Sequence, residues 1–222
     1  MAGRSPNPRL LLLMTASGIV FLSLAALGWG GWGPLLADPA RLAGCAVMMI
    51  ISLAAGFSTV NLNSFRQPGM ELRWLLIPIV IVTVVMAWLP AETDRRDVWT
   101  LDGTTVRVLG VALLAVGGTL RVAPMFVLGE RFGWPLAPQE THRLVTTGLY
   151  RVIRHPSYLG ALLGGIGWTL LFRSGPGLLL LLALVPLMAP ILHREEALLL
   201  SEFGEEYEAY RRRTWRLIPW VY

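Results

Sequence analysis

Three groups of residues in the second half of the chain have the types and spacing to do chemistry. The first is Arg121, inside the apolar run Leu113–Leu128 and about two turns from its end. An ionisable side chain at that depth is costly, and it more often faces a bundle interior with a role than hydrocarbon. Its planar fork suits a carboxylate. The alternative is a side chain that snorkels to the interface. Pro124, three residues on, is expected to break the helix and free backbone groups nearby. The second group is Arg154-His155-Pro156. Proline favours the first turn of a helix, so Arg154 and His155 flank a helix N-terminus, where unpaired N–H groups attract anions. A capped interfacial helix anchored by Tyr158, with Arg154 on lipid headgroups, reads the same residues without chemistry. Gly160-x-x-x-Gly164, with Gly165 and Gly167, signals close helix packing or room for a ligand against the backbone. The third group is Glu195-Glu196. In one helix, Glu196, Leu200, Phe203, Tyr207 and Tyr210 share a face at spacings of three or four. Acids and aromatics on one face fit a polar, aromatic-lined pocket. An amphipathic helix lying on the membrane is the alternative, although such helices usually carry a basic polar face, and this one is acidic until Arg211-Arg212-Arg213.

The elements that must position these residues are membrane helices. The chain of 222 residues is 55% hydrophobic and 15% charged, whereas soluble domains carry about 25% charge. We therefore expect an all-α fold, a polytopic transmembrane helical bundle of about five to six spans with a cytoplasmic C-terminal helix. Six apolar runs stand out, near Leu10–Gly28, Leu42–Val60, Trp74–Pro90, Val108–Leu128, Tyr158–Phe172 and Gly177–Leu192. The first reads as a retained helix, since it is too long for a signal-peptide core. The last two are short for a span. Joined by Arg173-Ser174-Gly175-Pro176, they read as a helical hairpin, tilted, kinked at Pro186 and Pro190, or partly buried in protein. Residues 1–107 form the N-terminal helices and 108–222 the portion that carries the chemistry.

All 19 basic residues are arginine, against 14 acidic ones. Six spans with both termini in the cytoplasm place Arg4, Arg9, Arg66, Arg73, Arg131, Arg143, Arg151, Arg154, Arg194, Arg211, Arg212, Arg213 and Arg216 inside. Arg41, Arg95, Arg96, Arg107 and Arg173 fall outside, a ratio of 13 to 5 with Arg121 within a helix. The bias supports that topology. It also puts the polar segment 130–157 and the C-terminal tail on one side, where the three groups can meet. Arginine near a membrane serves orientation or headgroup contact, so membrane lipids are the expected partners and nucleic acid is not. The single Cys45 forms no intrachain disulfide, and no Cys/His cluster indicates a metal.

Taken in order, the pattern Leu120-Arg121…Met125-Phe126…Gly129, Thr141-His142…Leu144-Val145-Thr146…Gly148…Tyr150, Arg154-His155-Pro156-Ser157-Tyr158…Gly160, Glu195-Glu196, Phe203-Gly204-Glu205-Glu206-Tyr207…Tyr210…Arg213…Leu217-Ile218-Pro219 resembles the isoprenylcysteine carboxyl methyltransferase family and its relatives, the membrane phospholipid methyltransferases. The resemblance covers roughly the C-terminal half. It implies a multi-pass membrane enzyme using S-adenosylmethionine, with S-adenosylhomocysteine as product, in a pocket facing the cytoplasm. By position, it implies that His155, Tyr158, Leu159, Gly160, Glu195 and Glu196 line the cofactor site, and that Arg121 and Arg213 stand at the acceptor, with Glu196 also part of the catalytic set. The residue chemistry agrees: carboxylates suit an ammonium and hydroxyls, while imidazole and N–H groups suit a carboxylate. The implied acceptor is an isoprenylcysteine-like or other lipidic carboxylate. A nitrogen or sulfur acceptor, on a phospholipid or small molecule, is the alternative; an ammonium acceptor would require a base, for which Glu196 and His155 are the candidates. A non-catalytic transporter would show repeats or broken helices in both halves, and neither is evident.

Overall fold

The computed structural model describes residues 7–60, 70–129, 132 and 144–221, with backbone alone over 70–76. Thr141, His142, Arg131 and Trp134 lie outside the described residues. Among these residues eight α-helices follow in order: α1 (Pro8–Trp29), α2 (Trp32–Leu36), α3 (Pro39–Gly56), α4 (Met70–Arg95), α5 (Thr104–Leu128), α6 (Pro156–Leu171), α7 (Gly175–Phe203) and α8 (Glu205–Arg212). A 3-10 turn, Gly148–Arg151, precedes α6.

The starts are written locally. Asn7, Asp38 and Ser174 each accept a backbone N–H of the following first turn, and each is followed at once or after one residue by proline. Among the described residues, five helices, α1, α3, α4, α5 and α7, are long and apolar enough to cross a membrane. Their outward faces carry apolar side chains such as Leu12, Leu27, Ile50, Val80, Val108 and Leu182. Such a belt suits hydrocarbon and would be a liability in water.

The sixth apolar run becomes something other than half of a short hairpin. α7 continues for 29 residues, through Pro186 and Pro190, to Phe203. Both prolines are exposed on its outer face, where no water would satisfy a broken backbone, so unwinding gains nothing. Pro124 likewise does not end α5, which runs on to Leu128. The partner run, α6, has 16 residues and is packed within the bundle.

α5 and α6 run antiparallel in backbone contact. A Cβ at Gly117 would lie 2.2 Å from Gly164 N, one at Gly160 2.4 Å from Arg121 N, and one at Gly167 2.3 Å from Leu114 N. Side chains there would hold the helices apart, so the glycines set both spacing and register. The main core joins Leu22, Ala26, Leu35, Ala91, Leu114 and Trp168, and the Trp168 indole N–H donates to Met86 O at 2.9 Å.

One end of the bundle is pinned by charge. Asp94, at the end of α4, accepts from Arg107 at 2.6 and 3.1 Å and from Arg173 at 2.9 Å. Arg107 also donates to Leu171 O at 2.8 Å. Residues 99–101 and 173–175 pair in antiparallel fashion, with Leu101 N to Arg173 O at 2.8 Å and Gly175 N to Trp99 O at 3.1 Å. α5 and α7 therefore set out from the same level.

Candidate active site

The opposite end of the bundle gathers the residues with chemistry. The glycine register brings Arg121 of α5 against the first turn of α6. The Ser157 hydroxyl donates to Arg121 O at 3.3 Å and receives a bond from the Arg121 guanidinium. Tyr158 and Glu195 are close enough to act on that guanidinium electrostatically. Tyr158, next on α6, donates its hydroxyl to Glu195 Oε2 at 3.0 Å. Two adjacent residues of α6 thus face both neighbours, Ser157 bonding Arg121 of α5 and Tyr158 bonding Glu195 of α7.

His155 precedes Pro156, and its side chain makes no cap bond to the helix it introduces. The imidazole instead lies between the two acids, with Nε2 3.3 Å from Glu196 Oε1 and Nδ1 3.8 Å from Glu195 Oε1. The two neighbouring carboxylates have different surroundings. Glu196, with its side chain 5% exposed, accepts from Arg154 Nε at 2.9 Å and Arg216 Nε at 3.1 Å, and Arg216 Nη2 closes the second oxygen. Glu195, 27% exposed, keeps capacity beyond its bond from Tyr158.

The segment after α8 closes the site. Residues 152–155 pair in parallel with 215–216: Trp215 N donates to Val152 O at 2.9 Å, Arg154 N to Trp215 O at 2.8 Å and His155 N to Arg216 O at 3.1 Å. Arg154 also reaches Arg211 O at 3.0 Å and bonds Thr214 O. Tyr210 donates to Tyr150 O at 2.7 Å, and burial pushes its phenol up to about 12 against the opposing pull of Arg154 and Arg213. Tyr207 is fully buried beside the acids. Its phenol is raised by burial and by Glu196, and its hydroxyl has no hydrogen-bond partner among the described residues.

The sequence-predicted residues are therefore largely brought together. Arg121, His155, Tyr158, Glu195 and Glu196 form one connected cluster. Leu159 follows, half-buried, in the same turn, whereas the space beside Gly160 is filled by the backbone of α5, the packing alternative for that glycine. Arg213 stands apart, exposed at the end of α8. The single helical face from Glu196 to Tyr210 does not exist. Gly204, with φ 50°, ends α7, and Tyr207 and Tyr210 return on α8. Ser157 and Arg216 were given no individual role by the sequence. Ser157 could have been found from its place beside His155. Arg216 counted only toward the inside-positive bias, because nothing in linear spacing links it to Glu196.

Residues 105–206 match the family model described as phospholipid methyltransferase. The protein-S-isoprenylcysteine O-methyltransferase of Schizosaccharomyces pombe is 34% identical over 114 residues, 50% of this chain and 48% of that protein. The human protein of the same name is 34% identical over 122 residues, 53% of this chain and 43% of that protein. The resemblance to the isoprenylcysteine carboxyl methyltransferase family is borne out. The chain spans about half the length of the curated relatives it matches. The solved structure of a eukaryotic intramembrane Ras methyltransferase, isoprenylcysteine carboxyl methyltransferase, superposes with a TM-score of 0.56 at 20% identity. It covers 95% of this chain and 74% of that one, so the similarity of fold reaches through the N-terminal helices as well.

Proposed function

We propose that the chain is an integral-membrane S-adenosylmethionine-dependent methyltransferase that esterifies a lipidic carboxylate of isoprenylcysteine type, with residues 108–222 as its catalytic portion and the site facing the cytoplasm. The observation that carries the reading is the adjacent pair Ser157 and Tyr158, which holds the Arg121 guanidinium on one side and the partly open Glu195 carboxylate on the other. The donor set fits the cofactor. Glu195 retains acceptor capacity for an ammonium or hydroxyls, and the His155 ring and the first turn of α6 suit a carboxylate. Once bound, the cofactor supplies an electrophilic methyl group.

The residues then divide the work. A carboxylate acceptor is already ionised at neutral pH, so it requires orientation rather than a base. Arg121, held from below by Ser157, presents its fork to that carboxylate, and positioning supplies the rate. Arg213, exposed at the rim, adds a second cation on the approach. Glu195 holds the donor. Glu196, with its oxygens taken by Arg154 and Arg216, serves as the anchor of the pocket rather than as a ligand.

The test is calorimetric titration of S-adenosylhomocysteine into detergent-purified protein, followed by turnover on a farnesylcysteine acceptor. Saturable binding with one site and a product whose methyl group is released by mild alkali are expected. Arg121→Ala is expected to retain that binding and to lose turnover by at least about 100-fold. A product that resists alkali would favour the nitrogen- or sulfur-methylating reading, and absence of binding by folded protein would sink both.

A further inference from the structure

Arg216 lies ten residues beyond the segment that matches the family model, which ends at residue 206, yet it makes three kinds of contact with the site. Its side chain, 15% exposed, grips both oxygens of Glu196. Its Nη1 reaches His193 Nε2 at 3.4 Å, one turn earlier on α7. Its carbonyl accepts the His155 backbone N–H at 3.1 Å. We propose that Arg216 is a positioning residue: from the segment after α8 it fixes the rotation of α7 and the backbone of His155, and so presents Glu195 and the imidazole to the cofactor. The inference rests on the cofactor reading above.

Charge balance alone does not explain Arg216. Arg154 already pairs with Glu196, and a second guanidinium on one buried carboxylate brings like-charge repulsion and further desolvation. What a second fork adds is geometry. A carboxylate gripped at both oxygens loses its freedom to rotate. Because His193 and Glu196 are spaced by three on one helical face, contact with both restrains α7 about its own axis. Glu195 lies between them in sequence, so that rotation decides where its carboxylate points.

Arg216→Met removes the fork and keeps most of the stem; Arg216→Lys keeps the charge as a single point donor. In the full chain, calorimetry should show S-adenosylhomocysteine binding weakened about 10- to 100-fold in Arg216→Met, with Arg216→Lys weakened less. Arg212→Met, at an exposed position, serves as the control at wild-type affinity. Carbethoxylation of His155 in protein without cofactor, followed by peptide mass mapping, should run several-fold faster in both Arg216 variants. Wild-type affinity in either variant at unchanged helix content overturns the proposal, as does a lowered melting temperature with affinity intact. If the wild type binds no S-adenosylhomocysteine, the cofactor reading fails with it. The modification rate still judges the clamp, and unchanged His155 reactivity overturns that too. Should Arg216→Met not fold, Arg216→Lys carries both measurements.

Discussion

At the residue scale, two adjacent acids have been given opposite surroundings by their neighbours. Glu196 is enclosed by Arg154, Arg216 and His155, so removing its charge leaves two part-buried guanidiniums without their counter-ion. Glu196→Gln is therefore expected to destabilise the protein by about 3 kcal/mol, visible as a lower melting temperature. Glu195→Gln leaves that network intact. It is expected to weaken S-adenosylhomocysteine binding about tenfold with little change in melting temperature, and equal melting losses in the two variants would contradict the assignment. The Glu-Glu pair was legible as a polar site in the sequence. Which member is enclosed was not, because the partners that enclose it, Arg154 and Arg216, come from distant stretches of the chain. Arg121 was legible for a different reason: the cost of a cation inside an apolar run makes it conspicuous without any knowledge of its neighbours.

At the element scale, the contact between α5 and α6 is the joint on which the site turns. The sequence offered Gly160-x-x-x-Gly164 as one motif, but its two glycines have different surroundings. A Cβ at Gly164 would meet nothing closer than 3.9 Å, whereas one at Gly117, across the joint, would sit 2.2 Å from backbone. Gly117→Ala is expected to cost about 1–3 kcal/mol or more by forcing the helices apart and to lower turnover by pulling Arg121 from Ser157. Gly164→Ala should melt close to the wild type and keep its activity. Thermal melts with turnover on both variants check the contrast. The apolar runs announced the helices because hydrocarbon demands length and apolarity from each element separately. Breaks were harder to read. Pro124, Pro186 and Pro190 look like stops and are not, since a lipid- or protein-surrounded helix has no water to turn to. Gly204, part of the quoted sequence pattern but not read there as a stop, is the actual stop at φ 50°.

At the scale of the whole molecule, the two ends have separate duties. The Asp94 network, with its carboxylate enclosed by Arg107 and Arg173, holds α4, α5 and the α6–α7 turn together at the end away from the site. Asp94→Asn is expected to cost about 3–5 kcal/mol of stability while the folded fraction keeps wild-type affinity for S-adenosylhomocysteine, because well-separated sites act independently. Melting curves and calorimetry on one preparation separate the two effects. This staple was only half legible: the sequence set Arg107 and Arg173 outside by counting charges, without showing that they converge on one aspartate.

The pinning of residues 99–101 to 173–175 has a further consequence. From that common origin Glu195 lies about 20 residues along α7, and Arg121 about 17 along α5, which is ~30 and ~26 Å of helix. Both distances match the ~30 Å hydrocarbon thickness of a bilayer. The molecule is thus a gauge with its reading fixed at one height. On the proposed reading, a lipid-borne carboxylate arriving at the headgroup boundary would meet Arg121 with its tail still among the acyl chains, so its hydrocarbon, worth about 0.8 kcal/mol per methylene, would not have to leave the membrane. Acyl chains of a length that sets the boundary above or below that height would separate donor and acceptor in depth, making bilayer thickness itself a determinant of the rate.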